Sequence, residues 1–284
     1  MSERTATKEP LKDKPAVPAS GLESGWRERA IGPVGAAILA VIFIVAIELL
    51  VLNEILNDII VPRPTDVFSA LITTLSEGFF YRHLWVTTLE VLIGFVIGTV
   101  LGFGLGALLG ISRRARAISY PYVVAFQGLP KVVLAPVFIT IFGFGIESKI
   151  VMAIAISFFP VLINTMAGLT GVDPQARRLM RSLSASDWHI FTKLSLPSSL
   201  PLIFAGIKTG LTLALVGAIV GEFVGAESGL GYLLDVYSYQ LEIPRVWAIT
   251  TILAAMGVIL FLFIEWVDRK VVFWQSRREL STTM

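Results

Sequence analysis

Residues 178–197 read RLMRSLSASDWHIFTKLSLP, and they stand between two long apolar runs, 150–170 and 201–225. Each run has about the 20 residues that a helix needs to cross the hydrocarbon of a bilayer. A polar, basic, helix-capable stretch of this size between two such runs implies a partner for it. Working outward, further apolar runs occupy 33–52, 84–110 and 246–267, and one at 119–143 is interrupted by Gly128, Pro130 and Pro136. With 148–170 and 201–225 these make six, and the predicted fold is an all-α integral membrane protein of six transmembrane helices.

Composition agrees. Of the 284 residues 55% are apolar and only 15% charged, against about 25% charged in soluble domains; the mean hydropathy is +0.78. The absence of Cys excludes a disulfide framework, a thiolate metal site and a cysteine nucleophile. His83 and His189 are isolated and read as solvated loop residues. There is no G-x-x-x-x-G-K-[ST], so the chain has no phosphate loop with which to hydrolyse ATP. No bound cofactor, metal or nucleic acid is expected. Residues 1–30 are polar and rich in Pro, Ser, Lys and Glu without an apolar h-region, and read as a disordered tail. A transmembrane domain over 31–270 and a short tail over 271–284 complete the division.

Charge fixes the direction. With the N-terminus inside, the tail, 111–118, 171–200 and 268–284 hold seventeen Lys and Arg, whereas the opposite loops hold four: Arg63, Arg82, Lys149 and Arg245. Basic residues collect on the cytoplasmic side, so both termini and the 171–200 loop are placed in the cytoplasm.

Gly94, Gly98, Gly102, Gly106 and Gly110 recur at every fourth residue of the second run, with Gly104 extra, and Gly217, Gly221 and Gly225 repeat the device in the fifth. On helices these are small-residue ridges that admit another helix closely. They serve either packing within the chain or a surface that slides during gating.

The loop itself has helix signals. Asp173 followed by Pro174 starts a helix running to about Leu183. Ser184 or Ser186 then caps a second short helix, Asp187 to Lys193, with Asp187 favoured in its first turn; Pro197 and Pro201 set off the next span. Leu183, Trp188, Ile190 and Phe191 are the residues available to insert into a groove on a partner. The alternative is an amphipathic helix lying on lipid.

This loop resembles the cytoplasmic "EAA" loop of permease subunits of ATP-binding-cassette importers: Glu-Ala-Ala, three residues, Gly, nine residues, Ile, one residue, Leu-Pro. Here the corresponding positions are Arg178-Leu179-Met180, Ser184, Leu194, Leu196 and Pro197, so the head and the Gly are replaced while the spacing and the L-x-L-P end are kept. Val61-Pro62-Arg63-Pro64-Thr65-Asp66-Val67, Gly128 to Pro136, and Gly221-Glu222-Phe223-Val224-Gly225 with Ser228 to Leu233 are similar to segments of the nitrate/sulfonate/taurine/bicarbonate group of such permeases. The resemblance covers roughly 60–270. It implies the type I importer permease fold in the cell (inner) membrane, embedded in lipid, with the loop docking on an ATPase subunit through Arg178, Leu183, Ser184, Asp187, Trp188, Ile190, Phe191, Leu196 and Pro197. It also implies a second permease copy, two ATPase subunits that use ATP and Mg, and an extracytoplasmic solute-binding protein.

Ionisable residues inside spans are functional candidates. Gln127, Lys131, Asn164, Lys208 and Glu222 are candidates to line a central pathway. The plainer assignment has Lys208 snorkelling to the cytoplasm, Glu222 near the outer surface and Lys131 on a backbone carbonyl. Glu48, Glu90 and Glu265 are placed at interfaces. Two pathway lysines favour an anionic solute; sulfonates, taurine, nitrate, aromatic carboxylates and vitamin precursors are the substrates implied by the resemblance. The competing class is an ion-coupled secondary transporter or channel, which would show acid relays and internal repeats.

Overall fold

The computed structural model describes residues 24–58 and 60–274. Among them all regular structure is helical. The chain divides into two units, 1–56 and 57–284, each described here by itself. The first holds α1, Ser24–Leu52. Its helix begins before the expected span and takes in the last part of the stretch read as a disordered tail; residues 1–23 lie outside the described residues. The part from Ile38 to Leu52 is a shorter apolar helix.

The second unit is built on α6, Ile146–Thr170, between α3, Gly78–Ile111, and α9, Leu196–Gly225. The glycine ridges explain the sandwich. On α3, a Cβ at Gly102 would lie 2.6 Å from the Phe158 carbonyl oxygen and one at Gly106 2.6 Å from that of Leu162, both on α6. On α9, a Cβ at Gly217 would lie 3.0 Å from the Cα of Ala153 on the same helix. Both ridges therefore pack within the chain, whereas Gly104 faces open space. The main apolar core draws Phe80, Val91 and Phe95 from α3, Ala153 from α6, and Leu211, Ala214 and Leu215 from α9. Ile249 and Leu253 join it from α11, Ile243–Val271, with Leu230 and Leu233 from α10, Leu230–Tyr239.

Before α3 runs α2, Pro64–Ser76, which packs against α11. Between α3 and α6 come α4, Arg113–Gly128, a 3-10 turn at Lys131–Leu134, and α5, Ala135–Phe142. The pair Arg113–Gly128 and Lys131–Phe142 is bent by 82°. The bend falls where the sequence places Gly128 and Pro130, a residue without an N–H to continue the helical ladder.

Among the described residues, four helical stretches are long and apolar enough to cross a membrane: Gly78–Ile111, Ile146–Thr170, Asp187–Gly225 and Ile243–Val271. The bent pair makes a fifth if taken as one span. The second run starts at Gly78 rather than residue 84, so His83 lies on a helix and not in a solvated loop.

Candidate coupling loop and buried polar clasp

After α6 the chain turns at Gly171, and the Asp173 carboxylate caps α7, Pro174–Ser182, accepting from the Gln175 N–H at 2.8 Å. The C-terminus of α7 closes by two backbone bonds, Ala185 N–H to the Met180 carbonyl and Ser184 N–H to that of Arg181, each 3.0 Å. This is the Schellman arrangement, which puts the residue after the cap in the left-handed region. That residue is Ser184, at φ 61°. The family pattern has glycine here, and the turn keeps the glycine conformation although serine occupies it.

The Ser186 hydroxyl accepts from the His189 N–H at 3.3 Å and caps α8, Asp187–Ile190. Arg181 and Asp187 approach to 3.7 Å across the turn, both largely in solvent. The second short helix does not stop at Lys193. A π-helical turn, Phe191–Ser195, joins α8 to α9, and Asp187–Gly225 runs on as one helix. Pro197 has no N–H to donate into the preceding turn, and the π-turn just before it accommodates the missing bond.

Leu183 is 73% and Trp188 70% exposed, and the Trp188 ring lies 5.8 Å from that of Phe191. Ile190, expected to be available to a partner, is instead buried at 5% exposure and belongs to this chain's own packing. Arg178 bonds back to the Pro174 carbonyl, Leu196 and Pro197 are half-buried, and Arg177 reaches the Leu169 carbonyl and the Ser195 hydroxyl, tying α7 to both neighbouring helices.

The five pathway candidates are not gathered at one site. Lys208 pairs with Asp268 of α11 at 2.7 Å. Glu222 lies 14 residues further along α9, about 21 Å at 1.5 Å per residue. Asn164 bonds to the Pro160 carbonyl at 2.8 Å, inside α6. Lys131 takes the plainer assignment: its ammonium donates to the backbone carbonyl of Gln127 at 3.1 Å and sits 4.6 Å from the centre of the Phe159 ring, at the α4–α5 bend.

Glu222 belongs to a different structure, which sequence reasoning missed. Its carboxylate accepts from the Thr87 hydroxyl and from the Gly231 N–H, each at 2.5 Å. Thr87 in turn accepts from the Leu230 N–H at 2.7 Å, and His83 Nδ1 accepts from the Gly229 N–H at 3.0 Å while its ring stacks on Tyr232. Three N–H groups at the start of α10 are thus taken by side chains of α3 and α9. The backbone there must be glycine: Gly229 has φ +123°, and a Cβ on Gly231 would lie 2.9 Å from the Glu222 carboxylate.

Glu90, placed at an interface by the sequence, is buried at 1% exposure beside Glu222. Lys149, counted among the loop charges, is buried in the first turn of α6, where its ammonium donates to the carbonyls of Phe144, at 2.7 Å, and Gly225. Polar residues breaking the apolar run at Thr87 and Glu90, together with Glu222 and a Ser228-Gly229-Leu230-Gly231 turn six residues after it, were the signal available.

The profile of the binding-protein-dependent transport system inner membrane component family matches residues 94–273. The chain belongs to that family. Among relatives of this permease, the formylaminopyrimidine transport permease protein ThiX of Halalkalibacterium halodurans is 33% identical over 219 residues, 77% of this chain and 87% of the relative. A Bacillus subtilis permease whose name carries aliphatic sulfonates is 28% identical over 226 residues, 79% of this chain and 82% of the relative. A chain of the MetNI methionine ABC transporter, solved in inward-facing conformation, shares the fold at a TM-score of 0.58 and 22% identity, covering 71% of this chain and 100% of that one. The protein is therefore a multi-pass permease subunit of the inner membrane, of the ATP-binding-cassette importer kind and similar to sulfonate-type permeases.

Proposed function

We propose that this permease forms the solute pathway of an ATP-driven importer, with six spans, both termini in the cytoplasm, and the 171–200 loop docked on a separate ATPase subunit. The carrying observation is the loop itself, a double-capped turn that holds Leu183 and Trp188 out of their own chain's core. An apolar pair rimmed by Arg178, Arg181 and Asp187 has the composition of a docking surface. The same chain pairs with a second copy of itself, two ATPase subunits bind ATP and Mg, and a binding protein delivers solute from outside. Alternating access follows from closure of the ATPase pair, and this chain supplies geometry rather than covalent chemistry.

The pathway runs past the α4–α5 bend, where Lys131 is held over Phe159 beside Gln127. Lys208 is neutralised by Asp268, so Lys131 is the one pathway lysine that argues for an anionic solute. A small organic anion of the sulfonate kind or a heterocyclic vitamin precursor fits the names of the relatives.

Single cysteines at Ser182 in the loop and at Tyr239, 83% exposed at the end of α10, test the orientation with a membrane-impermeant maleimide. Tyr239→Cys reacts from outside and Ser182→Cys only from the cytoplasmic side. Labelling of position 182 from outside overturns the scheme, since no ATPase could reach the loop.

A further inference from the structure

We infer that α4 carries a binding site for an anionic phospholipid, with the phosphate held by Arg113 and Arg116. Residues Arg113, Arg116, Ala117, Tyr120 and Pro121 line a groove of about 480 Å³. Their spacing puts them on one face of the helix. Val124, 49% exposed, continues that face, so it grades from guanidinium through phenol to aliphatic over eleven residues, about 16 Å. That order matches a phospholipid standing along a helix, phosphate at the membrane surface and acyl chain inward.

The charge at the groove's head lacks a counterion. Arg113, Arg114 and Arg116 occupy the first turn of α4, and among the described residues none of them forms an ion pair with an acid. Three like charges in one turn repel each other, and they sit at the end of the helix whose dipole also disfavours cations. An anion there relieves both terms. The site is partly pre-organised: Arg116 donates through Nη1 to the carbonyls of Leu109 and Gly110, each at 3.4 Å, which holds the guanidinium at the end of α3 and leaves its other N–H groups for a phosphate. The Ser112 hydroxyl already takes the Ala115 N–H, so the side chains and not the helix end make the site. A zwitterionic headgroup would bring its own cation up to these arginines, so an anionic lipid such as phosphatidylglycerol is favoured over phosphatidylcholine. Polybasic segments beside a span attract anionic lipid in general; here the groove and the fixed Arg116 add a defined seat.

The test uses the full-length permease, purified in detergent with the subunits that accompany it, and native mass spectrometry after addition of phosphatidylglycerol or phosphatidylcholine. The unsubstituted protein retains phosphatidylglycerol and not phosphatidylcholine. Arg113→Gln, which leaves the Arg116 contacts with α3 intact, weakens retention about tenfold, the loss of one charge-assisted contact. Arg63→Gln, far along the chain from the groove, leaves it unchanged. Equal retention of both lipids, or undiminished retention by Arg113→Gln at an unchanged unfolding temperature, overturns the proposal. So does inorganic phosphate displacing the lipid or raising the unfolding temperature as much as the lipid does, because the site would then serve a soluble phosphate. If Arg113→Gln lowers the unfolding temperature without lipid present, Val124→Glu replaces it, which puts a charge on the exposed position where the acyl chain lies; retention equal to the parent then overturns the proposal.

Discussion

Replacing Trp188 by alanine separates docking from folding. A tryptophan side chain buries about 150–250 Å² when covered, and here 70% of the residue is open. A partner groove can therefore remove roughly 100–175 Å² from water, worth about 2.5–4 kcal/mol at ~25 cal/mol per Å². Part is spent on ordering, so truncation should cost about 2 kcal/mol, the usual threshold of an interface hot spot. That is about a thirtyfold loss of affinity. The same exposure means the isolated subunit loses little: the side chain touches Phe191 and is largely outside its own core. Trp188→Ala should unfold within a degree or so of the parent while its dissociation constant for the ATPase subunit rises about thirtyfold, read by titrating labelled ATPase into permease in detergent or nanodiscs. Solute-stimulated hydrolysis should fall in step. An unchanged dissociation constant refutes the docking role and leaves Trp188 on the lipid surface, where the variant would show weakened membrane insertion instead.

Ser184 occupies the left-handed position of the α7 cap, so Ser184→Gly should be neutral or stabilising in an ATPase pull-down. Ser184→Val, β-branched where φ is positive, should cost about 1–3 kcal/mol locally and reduce capture of the ATPase; equal behaviour of the two variants would show that the turn's conformation is irrelevant to docking. Gly102→Leu would drive a side chain into the Phe158 carbonyl and Val161 of α6. Overpacking of about 1–3 kcal/mol or more should lower the yield of monodisperse protein, and a normal yield would mean that α3 and α6 do not touch there. Thr87→Val keeps the volume but leaves the Leu230 N–H and one Glu222 oxygen without their partner. At ~1–3 kcal/mol for each buried group the loss is roughly 2–6 kcal/mol, and a fall of about 5–20 °C in unfolding temperature is expected; an unchanged transition would remove the clasp as a structural element.

The helices that bury apolar stripes were legible because their signals are local. Asp173 caps the helix it was expected to cap, and of the two serines offered for the second helix Ser186 does so, since a carboxylate or hydroxyl one residue before a helix needs only its own turn. The glycine spacing marked the faces of α3 and α9 that touch α6, although which helix would meet them was not written in the spacing. What failed was non-local. Lys149, Glu90 and His83 look like loop or interface residues because their partners, Gly225, Glu222 and Gly229, lie 76, 132 and 146 positions away. A pattern along the chain cannot show that a cation will find a carbonyl at the far end of another helix. Lys208 misled for the same reason, its counterion Asp268 being on α11. Ile190 was grouped with Leu183, Trp188 and Phe191 as an apolar residue of a polar loop, and on the short helix it falls on the face turned to this chain's own packing.

The continuity at that π-turn bears on how the loop could act on the solute path. Asp187–Gly225 is one helix of 39 residues, about 58 Å long at 1.5 Å per residue. Trp188 stands in its first turn and Glu222 in its last. With a break after Lys193, the short helix could swing on a flexible joint and absorb any displacement imposed on it. Without one, a movement of the docking surface is a movement of a rod whose far end is bonded to the start of α10 through Glu222. Along its length this rod presses a glycine face onto α6, and α6 meets α3 through a second such face, so the contacts are backbone against backbone rather than between flexible side chains. Close packing of this kind transmits displacement and does not absorb it. The π-turn, where the hydrogen-bond register is already altered, and Pro201, which lacks an N–H inside α9, are then the places along the rod where bending is least costly, and the loop and the clasp move together only as far as both stay straight.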